Sequence, residues 1–184
     1  MSTITPPTLI PAQSQISDDE WNLLWTETHN TLYETYYEEF QLEALLERWE
    51  RLSTVSRFVL TITAPGSAIA GWALWNMAGF KYIWVVIAGL GAICVALEAT
   101  LHMNERIKEQ TILLTEFRSL RTDIKTFEAQ MNIKALPEVK NYKDAFLVIR
   151  ERFSKASSKL RNDLWLTQHV KDIAQSRLNI LFPR

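Results

Sequence analysis

The chain is poor in the residues from which soluble enzymes and disulfide-stapled domains are built. It has one cysteine, Cys94, so no disulfide or zinc framework is available inside one copy. Its three histidines, His29, His102 and His169, are scattered over separate segments and form no HxxxH, HExxH or Cys-His cluster, which argues against a metal site. No GxGxxG or Walker sequence is present, and Ser67 lacks both a GxSxG elbow and a nearby base. The chain therefore reads as a non-enzyme with no cofactor and no catalytic residue. Glycine is scarce as well, and all five lie between Gly66 and Gly91. Met1 to Gln15 has no basic start and no long apolar core, so no cleavable signal peptide is expected there.

Charge is missing from the middle. Between Arg57 and Glu98 the only charged residue is Lys81, which divides an uncharged run of 23 residues (58–80) from one of 16 (82–97). A bilayer's hydrocarbon core takes roughly 20 residues of helix, so the first run is long enough alone. The second reaches that length if it continues past Glu98 to Met103. The spacing predicts a two-span transmembrane hairpin over 58–103, turning at Asn76 to Lys81. Glycine costs about 1 kcal/mol against alanine in a helix in water, whereas in lipid small residues let helices approach closely. Ser67 with Gly71, and Ala88 with Ala92 and Ala96, place such residues four apart on single faces, as pore or packing positions. Pro65 is expected to bend the first span, and Trp72, Trp75, Phe80, Tyr82 and Trp84 form an aromatic belt near the turn. The competing reading is the apolar core hairpin of a soluble all-α domain.

On either side the charge is unequal. Met1 to Arg57 holds three basic against ten acidic residues (net −7), and Glu98 to Arg184 sixteen against eleven (net +5), so the two arms should attract if they share one side of the membrane. Arg48, Arg51 and Arg57 precede the hairpin and Arg106, Lys108, Arg118 and Arg121 follow it. The positive-inside rule then places both termini in the cytoplasm. The expectation is an all-α, multi-pass membrane protein. Its segments are a disordered tail (1–16), an N-terminal amphipathic helix (17–57) capped by Ser17 and Glu20, the hairpin (58–103), a cytoplasmic heptad helix (104–136) and a C-terminal helical arm (137–184).

The N-terminal helix carries an aromatic face of Trp21, Trp25, Tyr33, Tyr36, Tyr37 and Phe40. Its acidity would repel phosphates, so it is read as packing on the C-terminal arm or near headgroups, and DNA is not expected as a partner. An unbroken helix from Glu98 to about Ile133 carries Leu113, Phe117, Leu120, Ile124, Phe127 and Met131 at heptad spacing, to be satisfied either by the N-terminal helix or by other copies in a homo-oligomer. Beyond Pro137, Asn141 and Asp144 read as a cap for a further helix bearing Phe146, Ile149, Phe153, Ala156 and Leu160. Lys155, Lys159, Arg161, Lys171 and Arg177 line this region as candidates for anionic lipid, a phosphate ligand or the acidic arm, against the plain reading of a solvated face. Glu98, a carboxylate at the end of the second span, either lines the mouth of a pore between copies or snorkels to the interface.

The series LEATLHMNERIKEQTILLTEFRSLRTDI, with Glu105 and Arg106 after the span, then Phe117, Leu120 and Ile124, resembles the SLATT-type two-transmembrane effectors of bacterial anti-phage and conflict systems. The resemblance covers roughly Leu32 to Met131. Gln110 stands where many members have histidine, and Asn141 onward has no counterpart in that pattern. The resemblance implies an inner-membrane effector held inactive until an upstream sensor protein or nucleotide second messenger triggers assembly that permeabilises the membrane. Two other readings stay open: a passive anchor or scaffold recruiting a soluble partner, and a membrane-bound sensor of an anionic nucleotide through the C-terminal arm.

Overall fold

The computed structural model describes residues 18–63, 80–134, 139–163 and 165–183. These form five helices and, among the described residues, no strand: α1 (Asp18–Thr63), α2 (Phe80–Leu101), α3 (Met103–Asn132), α4 (Val139–Arg161) and α5 (Gln168–Leu181). The expected tail, Ser17 of the expected cap, Pro65, Ser67, Gly71, the belt residues Trp72 and Trp75, and Pro137 lie outside the described residues.

No glycine or proline interrupts α1 over its 46 residues, so nothing stops it at Arg57 and it runs on into the apolar run. It touches each of the other four helices. An axial helix needs partners on nearly every side, and α1 supplies them with mixed chemistry. Leu24, Leu32, Leu42, Leu45 and Trp49 are buried, and so are Thr28, Thr31 and Thr35. These three hydroxyls donate to their own helix four residues back, to the carbonyls of Leu24, Glu27 and Thr31 at 2.8, 2.8 and 2.6 Å, so a polar stripe is buried without orphaned groups.

The heptad seam of α3 is spent inside the chain. Leu113, Phe117, Leu120, Ile124, Phe127 and Met131 are all at most 7% exposed, packed in one cluster with α1 and α4. In α4, Tyr142, Phe146, Ile149, Phe153, Ala156 and Leu160 recur at four, three, four, three and four and all are buried. Ring pairs join the layers, Phe117 with Phe153 edge to face at 6.3 Å and Trp21 with Tyr142 at 5.2 Å. Copy-to-copy contact through these six α3 positions is therefore not open to the chain in this conformation. The N-terminal helix of the same chain has taken the seam.

Three boundaries differ from expectation. Lys81 belongs to the first turn of α2 rather than to a turn between spans. Asn141 lies inside α4, which begins at Val139, so it is no cap. The helix expected to run unbroken from Glu98 is interrupted at His102, which sits in the left-handed region at φ 46° and ψ 46°, and the axes on its two sides meet at 46°. The break wastes little backbone bonding: the His102 amide donates to the Glu98 carbonyl at 3.2 Å, and the His102 carbonyl accepts from Glu105 and Arg106 at 2.9 and 3.0 Å. A left-handed residue with a Cβ costs roughly 1–2 kcal/mol. His102→Gly is accordingly expected to raise thermal stability, by about 1 kcal/mol. In a straight helix the same change would lower stability by about as much, so the sign read in a denaturation curve decides between them.

The C-terminal arm is likewise two helices. Asp163 accepts the Trp165 amide through Oδ1 at 2.8 Å, a side-chain turn that ends α4 and starts the connection to α5. Val170, Ala174 and Leu178 then seat α5 in the core, and Phe182 closes on Tyr33 and Tyr36 with centroids 5.7 and 5.5 Å apart.

Candidate functional site: an apolar helix and the clefts at its foot

Apolar side chains that a water-soluble bundle would bury stay uncovered on α2. Tyr82 is 75% exposed, and Ile83, Val85, Val86, Leu90, Ile93, Val95 and Leu97 are exposed as well. Among the described side chains of α2 one stripe turns inward. Gly91 is buried, and Ile87, Cys94, Glu98 and Leu101, at steps of four, three, four and three around it, are half-buried. Ala88, Ala92 and Ala96 lie off that stripe and are exposed. Among the described residues no single helix is long and apolar enough to cross a membrane. One bent pair, 85–101 with 103–132, meets that criterion by length and composition.

A cleft at the foot of α2, lined in part by His102, adjoins a second between α3 and the end of α4. The first, about 370 Å³, is walled by Trp49, Trp165, His102, Glu105, Arg106 and Glu109. The second, about 480 Å³, shares Arg106 and Glu109 and extends past Gln110 to Lys159 and Asp163. Each is lined by a residue that carries a buried polar atom without a partner. Trp49 is 3% exposed and stacks edge-on to Trp165 at 4.9 Å, yet its indole N–H meets no acceptor. Gln110 donates through Nε2 to Asp163, while its Oε1 accepts nothing. An unanswered buried donor or acceptor costs about 1–3 kcal/mol.

The candidate basic residues are mostly turned to the chain's own carboxylates. Lys159 pairs with Glu116 at 3.2 Å, Arg161 with Glu38 at 3.3 Å, and Arg177 with Glu43 and Glu47 at 3.4 and 3.5 Å. Of the five, Lys155 is exposed and Lys171 half-buried. The attraction between the acidic and basic arms is thus realised as ion pairs across the bundle. The same holds for Glu39, 1% exposed, which accepts from Arg121 at 2.8 and 3.0 Å and from Arg118 at 3.3 Å.

Glu38 and Glu39 were not singled out in the sequence, yet they are the buried carboxylates of the interface. Desolvation raises both above the ordinary 4.5; Ser157 and Arg161 pull Glu38 back only in part, and Arg121 does so for Glu39. A carboxyl whose folded value is raised holds its proton better when folded. It stabilises the bundle fully below pH 4.5, and that contribution is lost as pH rises through the raised value. Glu38→Gln, which keeps an acceptor for the Ser157 hydroxyl (2.6 Å from Glu38 Oε1), is expected to flatten the fall in melting temperature as pH rises above 4.5. An unchanged pH slope would show that Glu38 carries no part of it.

Compared with known protein families, curated proteins and solved structures, the chain gives no match. Among the described residues no group of three or more metal-ligating side chains is assembled. The clefts escaped sequence reasoning because Trp49 and Trp165 are 116 positions apart. One signal was available: Asn162–Asp163 is a turn-forming pair that folds Trp165 back onto α1.

Proposed function

We propose that this chain is an inner-membrane effector: the apolar hairpin sits in the bilayer, the helical bundle and both termini lie in the cytoplasm, and triggered assembly permeabilises the membrane. The observation that carries the reading is the contrast between α2 and the rest. Every seam residue of α3 is buried, while the outward side of α2 leaves seven large aliphatic or aromatic residues at 50% exposure or more. Lipid is the solvent in which such a helix is stable. The resemblance to SLATT-type effectors supplies the consequence, growth arrest on signal from an upstream sensor or nucleotide messenger.

The buried seam defines the resting state of this proposal. A trigger that binds an opened bundle more tightly than the closed one shifts the population by its differential affinity, releasing α3 to pair with other copies. The exposed alanine series and Glu98 are then available for contacts between spans and for a pore mouth. A passive anchor is the second reading, favoured by the same seam, since a bundle already satisfied within one chain has less to gain from self-association. Membrane depolarisation and dye release on induced expression separate the two. The effector reading expects both, reduced by Glu98→Gln; an anchor leaves the membrane polarised.

A further inference from the structure

We propose that the end of the bundle from which α2 departs docks on the headgroup layer of the bilayer through the turn between α4 and α5. The inference rests on α2 lying in a bilayer and adds to it a second, peripheral attachment. Trp165 is the first observation. Among the described aromatic side chains of α3, α4, α5, their connections and α1 up to Arg57, it alone is exposed, at 45%. It lines one cleft with Thr100 and Leu101 from the last turn of α2 and meets Trp49 edge to face at 4.9 Å. A ring held beside the end of a lipid-solvated helix is the side chain that a membrane interface favours, because its body is apolar and its tip polar.

The arginines are the second observation. Eight of the ten described arginines pair with a carboxylate of the chain. Arg48 and Arg57 form no ion pair among the described residues, and both stand at this end. Arg48 donates to Thr167, two residues past Trp165, at 3.0 Å, and Arg57 donates to Asn104, two residues past the His102 break, at 2.8 Å. Each is bonded to a neutral oxygen and keeps guanidinium donors for phosphate. Glu50, Glu98 and Glu105 lie in the same region, so this is no polybasic patch and docking does not require anionic lipid. The phosphate that every phospholipid carries is sufficient.

The test uses the full chain with Cys94→Ala and one new cysteine, Asn162→Cys or Gln168→Cys on the flanks of the turn, or Asn179→Cys about 16 Å further along α5, all at exposed positions. Each is labelled with a fluorophore and reconstituted in phosphatidylcholine vesicles carrying a headgroup-attached quencher. Strong quenching is expected at the two flanks and little at Asn179→Cys. Trp165→Ala should lower the ratio of docked to undocked bundle, read at Gln168→Cys, by about tenfold, the scale of returning the exposed part of a large aromatic to water. Arg48→Gln, which leaves the Trp49 and Trp165 rings in place, should lower it as well. Equal quenching at the three positions, none at the turn, or indifference to both substitutions overturns the proposal. So does quenching or shielding at the turn that grows with the protein-to-lipid ratio, which would assign this surface to a second copy. A label at Leu90→Cys, read with an acyl-chain quencher, separates the two readings. Quenching there without quenching at the turn overturns the docking alone, and none at either site overturns the membrane reading with it.

Discussion

Phe117→Ala is expected to destabilise the bundle by about 3–5 kcal/mol, the range for removing a buried aromatic side chain from a packed core. Phe117 is fully buried, faces Phe153 edge to face, and sits at the centre of the α3 seam between α1 and α4. Ile112→Ala on the same helix is the control: Ile112 is 60% exposed, and its loss should change stability by no more than about 0.5 kcal/mol. Denaturant unfolding in detergent reads both. The seam is packed within one chain, so the midpoint should not move with protein concentration; a seam packed between copies would make it do so. A Phe117→Ala variant as stable as the parent would remove the bundle as described.

Leu90→Arg is the second large expectation. Leu90 stands near the middle of the 82–97 run and is 50% exposed. On the surface of a water-soluble protein an arginine there would be tolerated within about 0.5 kcal/mol. At the centre of a membrane helix it costs about 2.5–3.5 kcal/mol on insertion scales. The variant should therefore lose most of its membrane-associated fraction, measured by alkaline extraction, while its bundle helices persist by circular dichroism. Full retention in the membrane fraction would contradict a bilayer location for α2.

Periodic apolar residues made much of the fold legible. The α3 and α4 series were readable because each helix presents one face to the core, and their buried positions fall where the heptad steps put them. The pairing of acidic and basic arms followed from net charge alone. What stayed illegible has a common cause, the axial position of α1. A helix covered on nearly all sides shows no clean apolar stripe, so nothing in the sequence marks Thr28, Thr31, Thr35, Glu38 and Glu39 as buried. The His102 break was hidden for a different reason. Nothing local demands it, since histidine is compatible with a helix; the break lies between two helices that both pack on α1.

In the proposed reading the exposed apolar surface of α2 is solvated by lipid and the bundle beside it by water. The direct measurement is the distribution of the full chain between membrane and aqueous fractions after lysis without detergent, followed by alkaline washing. The account predicts that the protein stays with the membrane through the wash and is released only by detergent. A compact, detergent-free monomer in the aqueous fraction would contradict it.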